Sequence, residues 1–280
     1  MQVLTSNSQL QAWHEAANGP VAFVPTMGAL HKGHSSLVQL ASAWAATVGG
    51  RALVSVFVNP TQFNEKADFD RYPKTLDADV ALCTAAGAQA VWAPTPQDIY
   101  PPGVNIRVPS MPAVAAGPAL EDGYRPGHFS GVAQVVLRLF ELARPTAAFF
   151  GEKDWQQLAL VRAMTAAELP GVEIVGVPTT REPDGLAMSS RNVFLSPDDR
   201  RRALAISSAL AEADTAKTPA EAEAIMASVL TVAEITPDYA VVRDAATLLA
   251  PRTGNPMRTL IAARVGKVRL IDNAPWVGRG

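Results

Sequence analysis

The sequence contains a single cysteine, Cys83, in 280 residues. That excludes an internal disulfide framework and fits a reducing compartment. Clustered positive charge is also missing. The 24 Lys and Arg are balanced by 26 Asp and Glu, and no run of five or more is basic. Extended nucleic acid is therefore a poor match as a partner, since neutralising its phosphates requires grouped Lys and Arg. No apolar run approaches the ~20 residues that a bilayer span needs; residues 51–58, RALVSVFV, are among the most apolar windows. The opening MQVLTSNSQLQAWHEA carries neither the basic patch nor the apolar stretch of a secretory signal. The expectation is a soluble, cytoplasmic protein with no membrane segment. With 48% apolar and 18% charged residues the composition is ordinary for a globular chain. The length suits one large or two unequal domains.

After a short helix at about 8–17, residues 21–24 (VAFV) are uniformly apolar, as expected of a parallel strand covered on both faces. A helix is predicted to run to about residue 48 and to end at Gly49 and Gly50, followed by a buried strand at 53–58. Strand, helix and strand in this order make a right-handed βαβ unit. Residues 59–72 are polar and aperiodic, a loop at the end of a strand where parallel sheets bind ligands. Thr75 suits the N-cap of a helix to residue 86, stopped by Gly87, before a strand at 90–93. Residues 94–127, rich in Pro and Gly, are expected to wrap the surface with at most short strands. A stripe of Val132, Val135, Val136, Leu139, Phe140 and Leu142 marks a helix that Pro145 stops. A strand at 147–150, a helix that Asp154 can cap, and a fifth strand at 173–177 complete the alternation. The fold predicted is α/β, a Rossmann-like doubly wound parallel sheet.

The pattern changes near Thr180. Helices at about 198–213 and 219–233 follow, the second with Thr218 as cap and Pro219 at its first position. A strand at 239–242 and a hairpin of 260–265 and 268–271, turning at Gly266 and Lys267, complete a smaller α+β module. The expected domains are therefore 1–180 and 181–280. The sequence has no internal repeat or low-complexity tract.

Four stretches carry candidate chemistry. In TMGALHKGH, His31 and His34 lie three apart and share a face at a helix start, where free N–H groups and the helix dipole favour an anion. Gly28 and Gly33 allow backbone to approach a phosphate, and both imidazoles can donate to its oxygens. A zinc site would need a third ligand, and neither His14 nor His128 is spaced to supply one. In FFGEKDWQQL, Lys153 can reach a phosphate as a point charge, while Asp154 can cap the helix or hold Mg2+ through water. In DGLAMSSRN, Ser189, Ser190 and Arg191 suit a polyphosphate leaving group. In NPTQF, Asn59 and Gln62 follow a strand, and taken alone they read as turn and cap chemistry.

Taken together, PTMGALHKGHSSLV resembles the HxGH signature of the nucleotidyltransferase superfamily. With VSVFVNPTQF, DFDRYPKT, RPGHFSGV, FFGEKDWQQL and DGLAMSSRN in the same order, the chain resembles the pantothenate synthetase (pantoate–β-alanine ligase) family over residues 21–192. The resemblance implies ATP-dependent condensation of pantoate with β-alanine through a pantoyl-adenylate, releasing AMP and pyrophosphate. It also implies Mg2+ held mainly by the ATP phosphates rather than by a protein metal site, and a homodimer. By matching motif, Met27, Gly28, Ala29, Leu30, His31, Lys32, Gly33 and His34 would line the ATP site, with His34 as the assigned proton donor. Gly151, Glu152, Lys153 and Asp154 would hold the nucleotide together with Thr180, Met188, Ser189, Ser190 and Arg191. Gln62 and Gln157, with Asn59, would bind the other substrates. The catalytic set implied is His34, His31, Lys153, Ser189, Ser190 and Arg191. A nucleotidyltransferase acting on a phosphate ester would instead need a basic acceptor pocket. A tRNA-charging enzyme would need more length and positive charge. A regulatory module with a degenerate site would have lost a phosphate donor.

Overall fold

The computed structural model describes residues 1–62 and 72–278. The chain runs β1 (Gln2–Leu4), α1 (Asn7–Glu15), β2 (Val21–Thr26), α2 (Lys32–Thr47), β3 (Arg51–Val56), α3 (Leu76–Ala85) and β4 (Ala90–Trp92). It continues through α4 (Pro96–Ile99), α5 (Glu121–Tyr124), α6 (His128–Ala143), β5 (Ala147–Gly151), α7 (Trp155–Glu168) and β6 (Glu173–Val177). Then come α8 (Pro197–Ala213), α9 (Pro219–Val232), β7 (Pro237–Asp244), β8 (Met257–Val265) and β9 (Val268–Trp276).

The first six strands form one parallel sheet in the order β1-β4-β3-β2-β5-β6. Side chains alternate across β2, so Phe23 enters one core with Leu53, Trp92 and Phe150, under α1 and α6. Ala22 and Val24 enter the other, with Val54, Val91 and Phe149, under α2 and α3. Burial on both faces accounts for the unbroken apolar run. From β2 the chain goes to β3 on one side, and β5 takes the other. That reversal opens a crevice at the C-terminal ends of β2 and β5, where such sheets bind ligands.

All five strands expected in this sheet are present, and β1 adds a sixth at its edge. Its three residues show no usable period, and its one partner among the described residues, β4, lies far along the chain (Gln2↔Ala90). Residues 94–127 hold short helical turns rather than strands. Thr75 makes no side-chain cap; its hydroxyl donates to Asp79 Oδ1 at 3.2 Å instead. Asp154 precedes α7 but likewise makes no cap bond. Thr218 does cap α9, accepting from the Glu221 N–H. The expected loop at 59–72 lies partly outside the described residues.

In the second unit, α8 and α9 cover one face of the antiparallel sheet β7-β8-β9, burying Ile206, Leu210, Met226, Leu230, Ile261 and Trp276. Val265 pairs with Val268 across Gly266 and Lys267, the hairpin turn expected from sequence. The opposite face of this sheet carries Arg258 and Asn273, both buried.

Candidate active site

The turn after β2 leads to the first turn of α2, where the two histidines cap one another. His31 Nδ1 accepts the Gly33 N–H at 3.1 Å, and His34 Nδ1 accepts the His31 N–H at 3.3 Å. An imidazole nitrogen that accepts a hydrogen bond carries no proton, so both rings hold theirs on Nε2. The rings lie 4.1 Å apart, centroid to centroid. Burial and the neighbouring His31 push His34 down to about 3, while burial and Lys153 lower His31. Two neutral Nε2–H donors therefore stand at the helix N-terminus.

The loop that delivers them is held by an anion of the protein's own. Gly28 and Ala29 both adopt positive φ, 83° and 51°. The following N–H groups converge on the buried Asp79: Ala29 N–H on Oδ2 at 3.1 Å and Leu30 N–H on Oδ1 at 2.8 Å. A carboxylate from α3 thus takes the amides of Ala29 and Leu30. Asp79→Ala is expected to destabilise the fold by about 2–4 kcal/mol, because partly buried donors lose their acceptor. Chemical denaturation measures this loss, and a change within error would exclude the clamp.

Asn59, also in the cleft lining, is buried and ties the turn at Pro60–Gln62 to α6. Its amide donates to the Gly131 carbonyl at 3.2 Å, and its oxygen accepts from Tyr100 and Thr61. His128 Nδ1 meets the Gln62 carbonyl at 3.0 Å and so must be the donor there. Gly131 lets the two backbones touch: a Cβ there would lie 2.5 Å from the Thr61 carbonyl oxygen. The Gln62 side chain is left to face the cleft beside Met27, to which it donates.

After β5, Lys153 and Asp154 face the same cleft, their charges 3.7 Å apart. Burial opposes charge on Asp154, yet Lys153, Arg191 and Arg125 hold its carboxyl below the usual range. Residues 180–188 fold back on themselves through Met188 N–H to Thr180 O (2.9 Å) and an Arg181↔Ala187 bridge. This hairpin brings Ser189, Ser190 and Arg191 to the opening, where the Tyr72 hydroxyl bonds Ser190. Neighbouring glutamines divide their tasks. Gln156 is buried and accepts the Glu121 N–H, whereas Gln157 lines the cleft.

The cleft has a volume of about 230 Å³. It is lined by Met27, His31, Gly33, His34, Asn59, Gln62, Gly151, Lys153, Asp154, Gln157, Thr180, Met188, Ser189, Ser190 and Arg191 from the sequence-derived set. Gly28, Ala29, Leu30, Lys32 and Glu152 do not line it. The first three belong to the loop clamped by Asp79, Lys32 is exposed on α2, and Glu152 turns away to Arg258 at 2.9 Å. Sequence reasoning missed Tyr72, Phe57 and the apolar wall of Val132, Val135, Val136 and Leu139. That wall was visible as a helical stripe, but its exposure to a cleft was not.

Burial, then Arg125, also pushes His128 down, to about 4. The imidazoles of His34 and His128 both bind fewer protons folded than unfolded. Their stabilisation is complete above the ordinary value of 6.5 and is lost as pH falls toward about 4 and then about 3. The melting temperature is expected to drop on acidification over that window, with a shallower slope in His34→Asn; equal slopes would remove His34 from the account.

The sequence profile described as Pantoate-beta-alanine ligase matches residues 2–275. Pantothenate synthetase of Salinispora arenicola is 47% identical over 278 residues, covering 97% of this chain and 96% of its own. The crystal structure of pantothenate synthetase from Thermus thermophilus matches with a TM-score of 0.89 at 41% identity, covering 98% of this chain and 99% of that one. Pantoate-beta-alanine ligase from Francisella tularensis, complexed with beta-gamma ATP and beta-alanine, matches at 0.80 and 32% identity, covering 98% and 97%. With these matches along nearly its whole length, the chain belongs to the pantoate–β-alanine ligase family.

Proposed function

We propose that this enzyme joins pantoate to β-alanine in two steps within the one cleft, through a pantoyl-adenylate. The observation carrying this reading is the chemistry of the cleft lining. It brings neutral Nε2–H donors, Lys153 and the Ser189–Arg191 segment together with Gln62, Gln157 and the apolar face of α6. The first set suits a polyphosphate and the second a small acid with an apolar body. The relative from Francisella tularensis, complexed with beta-gamma ATP and beta-alanine, supports ATP and β-alanine as co-substrates.

In the first step a pantoate carboxylate oxygen attacks the α-phosphorus of ATP. The bond to the bridging oxygen breaks, and pyrophosphate leaves. Negative charge builds on the phosphate oxygens, and donors fixed in advance lower that barrier by a few kcal/mol each, to order of magnitude. His31 and His34 serve as neutral hydrogen-bond donors; their lowered pKa values argue against an imidazolium acid in the free enzyme. Gln62 and Gln157 orient the carboxylate without neutralising it, whereas an arginine there would stabilise the ground state and gain no rate. In the second step the β-alanine amine attacks the acyl carbon, AMP leaves, and the amine gives up a proton. No protein nucleophile is required.

Among the described residues no group of three or more His, Cys, Asp or Glu could hold a metal ion alone. Asp154 brings a carboxylate to the cleft, a donor set that fits Mg2+ carried largely by substrate phosphates. When bound there, Mg2+ would neutralise polyphosphate charge. Residues 181–280, which bring Ser189 and Arg191 over the opening, act in this reading as a lid on residues 1–180.

Isotope exchange between pyrophosphate and ATP tests the order of steps. Exchange should require pantoate but not β-alanine, and steady AMP release should require both. Exchange that depends on β-alanine would overturn the adenylate.

A further inference from the structure

Asp272 and Asn273 sit in the middle of β9, outside every motif, yet both are buried, at 4% and 3% exposure. The amide of Asn273 donates to two consecutive carbonyls of the turn that carries the cleft lysine, Glu152 O at 3.0 Å and Lys153 O at 2.8 Å. Its oxygen accepts Arg258 Nε at 2.5 Å. Arg258 in turn bonds Glu152 at 2.9 Å and lies 3.5 Å over the Trp155 ring. The amide's two donors and its acceptor are thus all engaged on one turn and its neighbour.

Asp272 faces the other side of the strand, as alternation requires. Its carboxylate receives both terminal nitrogens of Arg181, at 2.7 and 3.1 Å. Arg181 also donates to the Gly185 carbonyl at 3.1 Å, in the turn of the hairpin that delivers Ser189–Arg191. Asp272 Oδ1 additionally accepts the Asn273 N–H at 2.8 Å, closing the chain of bonds. Neither residue lines the main cleft.

We propose that Asp272 and Asn273 are positioning residues that fix the Lys153 turn and the Ser189–Arg191 segment relative to one another. One dipeptide of the C-terminal sheet spans the two halves of the phosphate-binding face and sets the gap into which the polyphosphate must fit. The proposal rests on the reading of Lys153 and Arg191 as phosphate donors. A loose brace would lower the rate of the first step more than it weakens pantoate binding, because the brace acts on the phosphate face alone.

The test is single-turnover acyl-adenylate formation from pantoate and ATP with Asn273→Asp, Lys153→Ala and the double variant. Aspartate keeps the size and the acceptor for Arg258 but removes both donors. Asn273→Asp is expected to slow the step on the order of 10²-fold, the scale of a group misplaced by about an ångström. The KM for pantoate should stay within about threefold, since the apolar wall is untouched. In the Lys153→Ala background the same change should cost nothing more, because the brace acts through the lysine. An equal loss in both backgrounds, or none in the parent, overturns the proposal. A full rate for Lys153→Ala overturns the underlying reading instead, and the proposal with it. If Asn273→Asp does not fold, Asp272→Asn against Arg191→Ala carries the same comparison, with the same two outcomes deciding it.

Discussion

His34→Ala is expected to form the acyl-adenylate about 10²–10³ times more slowly than the parent enzyme, the usual loss for one preorganised transition-state donor. Alanine also removes half of a helix cap, since His34 Nδ1 accepts the His31 N–H. A cap is itself worth about 1 kcal/mol. His34→Asn separates the two roles. Its side-chain oxygen can replace Nδ1 as the acceptor, but it has no atom where Nε2–H stood. If the donor matters, Asn should be nearly as slow as Ala while melting closer to the parent. Single-turnover adenylate formation with pantoate and ATP is the measurement. A normal first step with a block only after β-alanine is added would move His34 to the second step.

Gly131→Ala should be nearly as damaging, although no atom of residue 131 is proposed to touch a reacting group. In the first turn of α6, alanine is intrinsically the better helix former, by up to about 1 kcal/mol. Its Cβ, however, would lie 2.5 Å from Thr61 O and 2.9 Å from Gln62 Cα, and both are backbone atoms that cannot simply rotate away. The turn at Pro60–Gln62 must move, and Gln62 with it. Displacement of a substrate-orienting group by about an ångström costs on the order of 10²-fold in rate. We expect kcat/KM for pantoate to fall by that factor while ATP affinity stays close to that of the parent. Unchanged kinetics would mean that Gln62 does not orient pantoate, or that α6 can recede at no cost.

Features encoded by contiguous residues were legible in the sequence. Val21–Val24 advertise a buried strand through unbroken apolarity, and the His31–His34 spacing places both rings on one turn. The GEKD and MSSR stretches follow strands or loops that end beside the same crevice. Features that depend on distant pairings stayed hidden. Asp79 reads as an ordinary acidic residue near a helix start, and only the fold brings it to the amides of Ala29 and Leu30. The result is that the amides of Ala29 and Leu30 serve the loop's own shape. Gly131 carries no signal in the sequence, yet its missing Cβ is what admits the Thr61–Gln62 backbone. The brace at Asp272 and Asn273 joins segments about ninety or more residues away, and no local pattern foretells it.

The strand order also has a consequence for how the chain assembles as it is made. β2 can pair with β3 once about fifty residues exist, but β1 has no partner until Ala90–Trp92 have been synthesised. β2 gains its other neighbour only with Ala147. The parallel sheet therefore grows outward from β2 and β3, and the earliest strand translated waits for a neighbour that emerges much later. Loop closure over such spans is slow compared with formation of the β8–β9 hairpin. During that interval the apolar faces of β2 and β3 lack most of their cover, which makes the nascent N-terminal half the part of the chain most in need of chaperone protection.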